Sequence, residues 1–160
     1  MDPNDKITRK HLTDLITKGN AHATLDDALQ DLSPALRGIK PDGLPYSIWQ
    51  LLDHIRIAQW DILEFTKDQK HRSPKWPEGY WLKDPEPASE AAWDKTIKQI
   101  KADQQEFVDL LNDEANNLYQ PLPEGDGQTL MREALLIGDH NAYHTAEIIM
   151  IRRLLGDWKG

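Results

Sequence analysis

At 160 residues, with 39% hydrophobic and 29% charged side chains, the chain is one domain's worth and long enough to bury a core without covalent staples. A formal charge of −8 argues against a general nucleic-acid binder, which needs a basic face to release counterions from phosphates. The absence of cysteine excludes disulfides, thiolate metal sites and a cysteine nucleophile.

The polar, acidic start Met1-Asp2-Pro3-Asn4-Asp5-Lys6 is not followed by the apolar core of a secretory signal, and no apolar run reaches membrane-spanning length. The expectation is a cytoplasmic protein without membrane partners. Proline divides the rest, because it is tolerated at helix starts but breaks helix interiors. The ten prolines leave four long free stretches, 4–33, 46–73, 88–120 and 124–160, and none alternates like a strand. These stretches predict an all-α, four-helix bundle formed by a single domain over 1–160.

The first stretch is interrupted by Lys18-Gly19-Asn20, a turn signal, and Thr24-Leu25-Asp26-Asp27 reads as a capping box. Helices are therefore expected at about 5–17 and again at about 25–32. His22 falls in the loop between them, either solvated or turned toward a site. Ser47-Ile48-Trp49-Gln50 is a second capping box. Beyond it Ile48, Leu51, Leu52, Ile55, Ala58 and Ile62 mark a buried face. At about 100° per residue His54 lies on the edge of that face. Trp49, Asp53, Arg56 and Trp60 cluster on the other side, where two indoles need cover from a loop or a second subunit.

Residues 69–89 contain four prolines together with Trp76, Tyr80 and Trp81. A connection this long and aromatic packs on something, as a crossover between helices or as a pocket wall. Ser89 is a cap for the third helix, with Trp93, Ile97, Ile100, Phe107 and Leu111 facing the core and Gln104 as a polar exception on that stripe. Pro121 to Gly127 is a turn-rich connection, Thr129 caps the last helix and Gly156 ends it.

The last helix carries the chemistry. Leu130, Ile137, Ile148, Ile151 and Leu155 form an apolar stripe, and His140 and His144 interrupt it four residues apart. At that spacing two imidazoles lie one above the other on a single face. A core-facing imidazole needs partners for its nitrogens, and a shared metal ion is the economical one. Asn141 follows His140, so this is not the H-E-x-x-H of zinc peptidases. His54 is the best-placed third nitrogen ligand, and three such ligands leave positions for water or substrate. The bland alternative is three separate histidines hydrogen-bonded within a bundle. Asp53, Asp61, Asp139, Asn141 and Glu147 are candidate partners to orient the rings, Tyr143 is a candidate pocket residue, and His22 a candidate fourth ligand. His11 and His71 show no comparable setting. Three imidazoles suit zinc, nickel, copper or iron.

The run Asp139-His140-Asn141-Ala142-Tyr143-His144-Thr145-Ala146-Glu147-Ile148, followed by Arg152-Arg153-Leu154-Leu155-Gly156, resembles the C-terminal signature of the DinB-like superfamily. Trp49-Gln50-Leu51-Leu52-Asp53-His54-Ile55 resembles its second-helix signature, and the likeness extends to Ala21-His22-Ala23-Thr24 and the Trp-rich loop. The resemblance implies a four-helix bundle with a long crossover. It also implies a histidine triad on the second and fourth helices, here His54, His140 and His144, holding a divalent metal that is often zinc or nickel. Homodimers and a small-molecule substrate are further implications. Members of known activity include bacillithiol-using S-transferases and a mycothiol-dependent maleylpyruvate isomerase, so the first expectation is a thiol S-transferase with a low-molecular-weight thiol as co-substrate. A metal-dependent hydrolase and a non-catalytic metal-binding helical module are the alternatives.

Overall fold

The structure, a computed structural model, describes residues 2–68, 70–123 and 125–158. Its helices are α1 (Pro3–Lys18), α2 (Leu25–Leu29), α3 (Ile48–Lys67), α4 (Glu90–Asn112) and α5 (Leu130–Leu154), with one 3₁₀ turn at Pro34–Leu36 and no strand among the described residues. Their starts follow from the caps written in the sequence. Thr24 and Asp27 form one reciprocal capping box and Ser47 and Gln50 another. Ser89 accepts from the Ala92 amide and Thr129 from the Arg132 amide. Each satisfies amides that a helix leaves without intrahelical partners. Gly156 sits at φ 72° just past α5, a left-handed geometry that favours glycine.

One boundary differs from expectation. The short second helix ends at Leu29 instead of about 32. The buried Arg152 guanidinium takes the carbonyls of Ala28 and Gln30 at 2.8 Å each, so the chain leaves the helix to meet α5. Arg9 plays a similar part where α4 ends, donating to the carbonyls of Leu111, Asp113 (3.1 Å) and Asn116 (2.6 Å).

Contacts fix the helix directions. Trp49 meets Trp93, Gln59 donates to the Ile100 carbonyl and Lys67 pairs with Glu106, so α3 and α4 run parallel. His54 meets both His140 and His144 while Gln59 meets Asn141, and Leu51 borders one groove with Ile151; α5 therefore runs against α3. Arg9 reaches the end of α4 while Gln104 donates to the Ile16 carbonyl at 2.9 Å, so α1 opposes α4. The bundle is thus α1 and α5 in one direction, α3 and α4 in the other.

Parallel neighbours oblige the 68–89 connection to travel back along α3, a distance of about 30 Å at 1.5 Å per residue. It does so in contact with that helix. His71 bonds Asp61 at 2.6 Å, the Tyr80 hydroxyl donates to Asp61 at 2.5 Å, Gln50 donates to the Leu82 carbonyl at 2.8 Å, and the Ser47 hydroxyl donates to the Pro85 carbonyl. Of the two indoles on one side of α3, the connection meets Trp60 and α4 covers Trp49. Trp49 is buried against Trp93, and Trp60 meets the edge of His71.

The interior is apolar at both ends and polar in the middle. One cluster gathers Ala28, Leu51, Leu52, Ile55, Trp93, Ile148 and Ile151. The other gathers Leu12, Ile16, Leu63, Phe107, Leu111 and Ile137. Ile62, expected in the core, is only half-buried beside the second cluster. Between the clusters, α3 places His54 and Gln59, and α5 places His140, Asn141 and His144.

Candidate metal centre

One ring nitrogen from each of His54, His140 and His144 lies within 4.8 Å of the others. His54 is 3% and His144 8% exposed. Nε2 of His54 and Nε2 of His140 face each other at 3.0 Å. What these atoms can hold depends on which nitrogens carry the protons, and the surrounding partners decide that.

Nδ1 of His54 lies 3.0 Å from the Tyr80 carbonyl, which only accepts, so Nδ1 carries the hydrogen and Nε2 a lone pair. For His140 the assignment runs through a chain of amides. The Ile100 carbonyl only accepts, so the group of Gln59 that meets it at 2.7 Å is the amide nitrogen. Gln59 Oε1 is then left to accept from Asn141 Nδ2 at 2.9 Å. That turns Asn141 Oδ1 toward His140 Nδ1, a long contact of 3.4 Å. His140 thus donates from Nδ1 and keeps a lone pair on Nε2. His144 donates from Nδ1 to the Glu147 carboxylate at 2.6 Å, with the same result.

Three lone pairs therefore point at one small volume. Two of them at 3.0 Å repel unless an electrophile lies between them, and a proton is a poor candidate. Burial pushes His54 down to about 4, against the opposing pull of the Tyr80 carbonyl, and pushes His144 down to about 4 as well. It also lowers His140, despite its contact with Asn141. The rings are neutral near pH 7, the state in which imidazole binds metal. A tetrahedral ion with bonds of about 2.0–2.1 Å sets its ligand atoms about 3.3 Å apart. The His54–His140 pair at 3.0 Å is slightly inside that spacing and the other separations are at most 4.8 Å, so a modest shift of the rings reaches it. Each ring is also oriented through its far nitrogen by a carbonyl, an amide or a carboxylate, as metal-bound histidines are. The donor set fits a divalent cation.

The family model for the DinB superfamily matches residues 20–148. The chain belongs to the DinB superfamily. The matched span contains all three histidines and the Tyr80 and Asn141 groups that orient two of them. No curated protein and no solved structure matches the chain.

The other candidates from the sequence divide. Asn141 and Glu147 touch the rings as orienting partners. Asp61 acts one step removed, holding Tyr80, whose carbonyl holds His54. Asp53 is turned to Arg56 at 2.7 Å and reaches His54 only through its charge. Asp139 is exposed and acts on His140 through its charge. Tyr143 is 64% exposed, with its ring edge-on to His144 at 5.0 Å. His22 is exposed in its loop, with Nδ1 on the Ala23 carbonyl at 2.9 Å, and lies outside the cluster of three. His11 is exposed.

Sequence reasoning missed three contributors. The Tyr80 backbone carbonyl carries no residue-type signal. Gln59 sits on a helix face whose periodicity marks it only as core. His71, set aside above, pairs with Asp61 and so fastens the crossover beside the centre. Trp81 stacks on His54 at 3.9 Å and Tyr46 on Trp81 at 3.7 Å, which makes the Trp-rich connection one wall of the centre. An apolar groove of about 350 Å³ runs along the His144 side, bordered by Leu44, Tyr46, Tyr143, Glu147 and Met150.

Proposed function

We propose that the protein is a metal-dependent enzyme in which His54, His140 and His144 hold a divalent ion, zinc or nickel, and that it transfers a small thiol to an electrophile. The observation that supports this is the set of three inward lone pairs, each fixed from behind by its own acceptor. Such an ion supplies Lewis acidity, which lowers the pKa of a bound thiol or water. Everything else falls to the chain. Tyr80, Asn141 and Glu147 hold the three rings neutral and aimed inward. Trp81 and Tyr46 cover the His54 side and keep bulk water from it. The apolar groove beside Glu147 is suited to the carbon skeleton of the electrophile. No cysteine is available as an internal nucleophile, so the sulfur comes from a co-substrate.

Metal analysis with turnover tests this reading. Purified protein is expected to carry one ion per chain and to catalyse addition of a low-molecular-weight thiol to an electrophile, with His140→Ala losing both. Stoichiometric metal without any rate loss in that variant, across thiol-acceptor and ester panels, would count against it. Ester turnover without thiol turnover would move the assignment to hydrolysis.

A second reading is favoured by the close packing of the centre, with His54 and His144 almost fully enclosed. There the ion ties α3 to α5 without reacting, and its binding energy is folding energy. Melting with and without chelator separates the two: a structural ion predicts collapse of the fold, a catalytic one lost activity in a largely intact fold. We also propose a homodimer through α5, whose Leu135, Tyr143, Met150 and Leu154 are exposed on one side of the helix.

A further inference from the structure

A second cavity, of about 280 Å³, lies where α1, α2, α4 and α5 meet. None of the three histidines borders it. Its walls are mixed: Leu15, Ile16, Leu29, Leu52, Ile97 and Ile100 give an aliphatic part, and Thr17, Gln104, Asn141 and Thr145 are among the polar lining residues. Gly138 helps to form it: a Cβ there would stand 2.6 Å from Leu15 Cγ, so glycine allows α1 to come close to α5 at the cavity's edge.

The polar groups around it are nearly all spoken for. Gln104 donates to the Ile16 carbonyl, Asn141 joins Gln59 to His140, and His22 is held by the Ala23 carbonyl. At the rim Lys101 pairs with Asp26 at 3.0 Å. Thr145 differs. It is 3% exposed and lines the cavity, yet no hydrogen bond of its hydroxyl occurs among the described residues, whereas Thr8, Thr17 and Thr66 each donate back to a carbonyl of their own helix. That hydroxyl is not sealed within protein; it borders space that a ligand can enter, where its hydrogen-bonding capacity is open to whatever binds.

We propose that this cavity is a second small-molecule site, for a compact, uncharged molecule with an apolar part and one hydroxyl or carbonyl oxygen, which hydrogen-bonds Thr145. The volume equals about nine water molecules at about 30 Å³ each, so the ligand has roughly ten non-hydrogen atoms. Charged ligands are disfavoured, because the cations and anions of the lining are confined to the exposed rim pair. None of the three histidine rings lines the site, which adjoins them only through Asn141, and its existence does not depend on the metal reading.

Amide chemical shifts of the full chain, titrated with benzyl alcohol and in parallel with toluene, test this. The expected result is saturable shifts for Leu15, Ile97, Ala142 and Thr145, with benzyl alcohol binding about fivefold tighter than toluene, the ratio expected for one hydrogen bond. Thr145→Val, which keeps the shape, should abolish that preference, and Thr145→Ser should keep it. Ala142→Leu should remove binding of both probes by filling the space. The proposal is overturned if neither probe gives saturable shifts at these residues, or if Thr145→Val leaves the preference for the alcohol unchanged. The same spectra show whether each variant is folded.

Discussion

Replacing Asn141 by leucine removes, at nearly constant volume, both ends of the amide that joins Gln59 to His140. On one side Gln59 Oε1 loses its donor, and Gln59 is 1% exposed, so no water replaces it. An orphaned buried acceptor costs about 1–3 kcal/mol. For a protein of this size that corresponds to a melting temperature lower by about 2–12 °C, measured in chelator so that metal plays no part. On the other side His140 Nδ1 loses the oxygen that fixes its tautomer, and loss of such a partner lowers metal affinity by about 10–100-fold. Competitive titration against a chromophoric chelator reads that loss. Asn141→Asp separates the halves. It keeps an oxygen acceptor for His140 but gives Gln59 a second acceptor to face, so it should lose the stability and retain the metal. If Asn141→Leu binds metal as tightly as the wild type, the assignment of inward lone pairs by the amide chain is wrong.

Other perturbations probe the remaining supports. Tyr80→Phe deletes the hydroxyl that donates to Asp61; burial and Asp61 push that phenol up to about 12, so it is a donor throughout the working range. The variant should lose about 1–2 kcal/mol in urea melts and several-fold in metal affinity, because the carbonyl on His54 is no longer anchored. In metal-free protein His54 and His144 sit near 4 against an ordinary 6.5, so between those values the unfolded chain binds more protons and stability falls as pH drops from about 6.5 through 4. Comparing the melting of wild type with that of His54→Phe isolates this from the carboxylates: the wild type should lose ground steadily over that window, and a constant difference would contradict it. Arg152→Met strips the carbonyls of Ala28 and Gln30 of a buried donor and strands Asp157. A loss of about 3–5 kcal/mol is expected, with amide exchange of α2 accelerated more than that of α4. Met150→Asp should shift the chain from dimer to monomer in light scattering, and an unchanged mass would remove α5 as the interface.

Much of this architecture is legible in the residues. The two capping boxes start α2 and α3 where Thr24 and Ser47 stand, and the prolines delimit the long helices because a ring without an amide hydrogen cannot lie inside one. The pair four residues apart on the α5 stripe, and His54 on the edge of the α3 face, anticipate the convergence of three rings. The relative direction of α3 and α4 is not legible, since periodicity describes which face of a helix is buried and says nothing of which way its neighbour points. The crossover is opaque for a related reason. Its grip on α3 uses carbonyls of Tyr80, Leu82 and Pro85, and a carbonyl is the same on every residue. His71 looked idle because its partner Asp61 lies ten positions back on a helix, a distance bridged only once the chain has turned. Asp53 reads as an orienting carboxylate by proximity to His54 in sequence, but adjacent residues on a helix diverge by about 100°, and the side chain goes to Arg56 instead.

The central claim is that three histidines from two antiparallel helices share one cation. A crystal structure of the metal-loaded protein with anomalous data at the metal's absorption edge tests it most directly. The account predicts a single peak about 2.0–2.2 Å from Nε2 of His54, His140 and His144, with at least one further coordination position free of protein. A peak bound through other residues, or none in protein shown to contain stoichiometric metal, would contradict it.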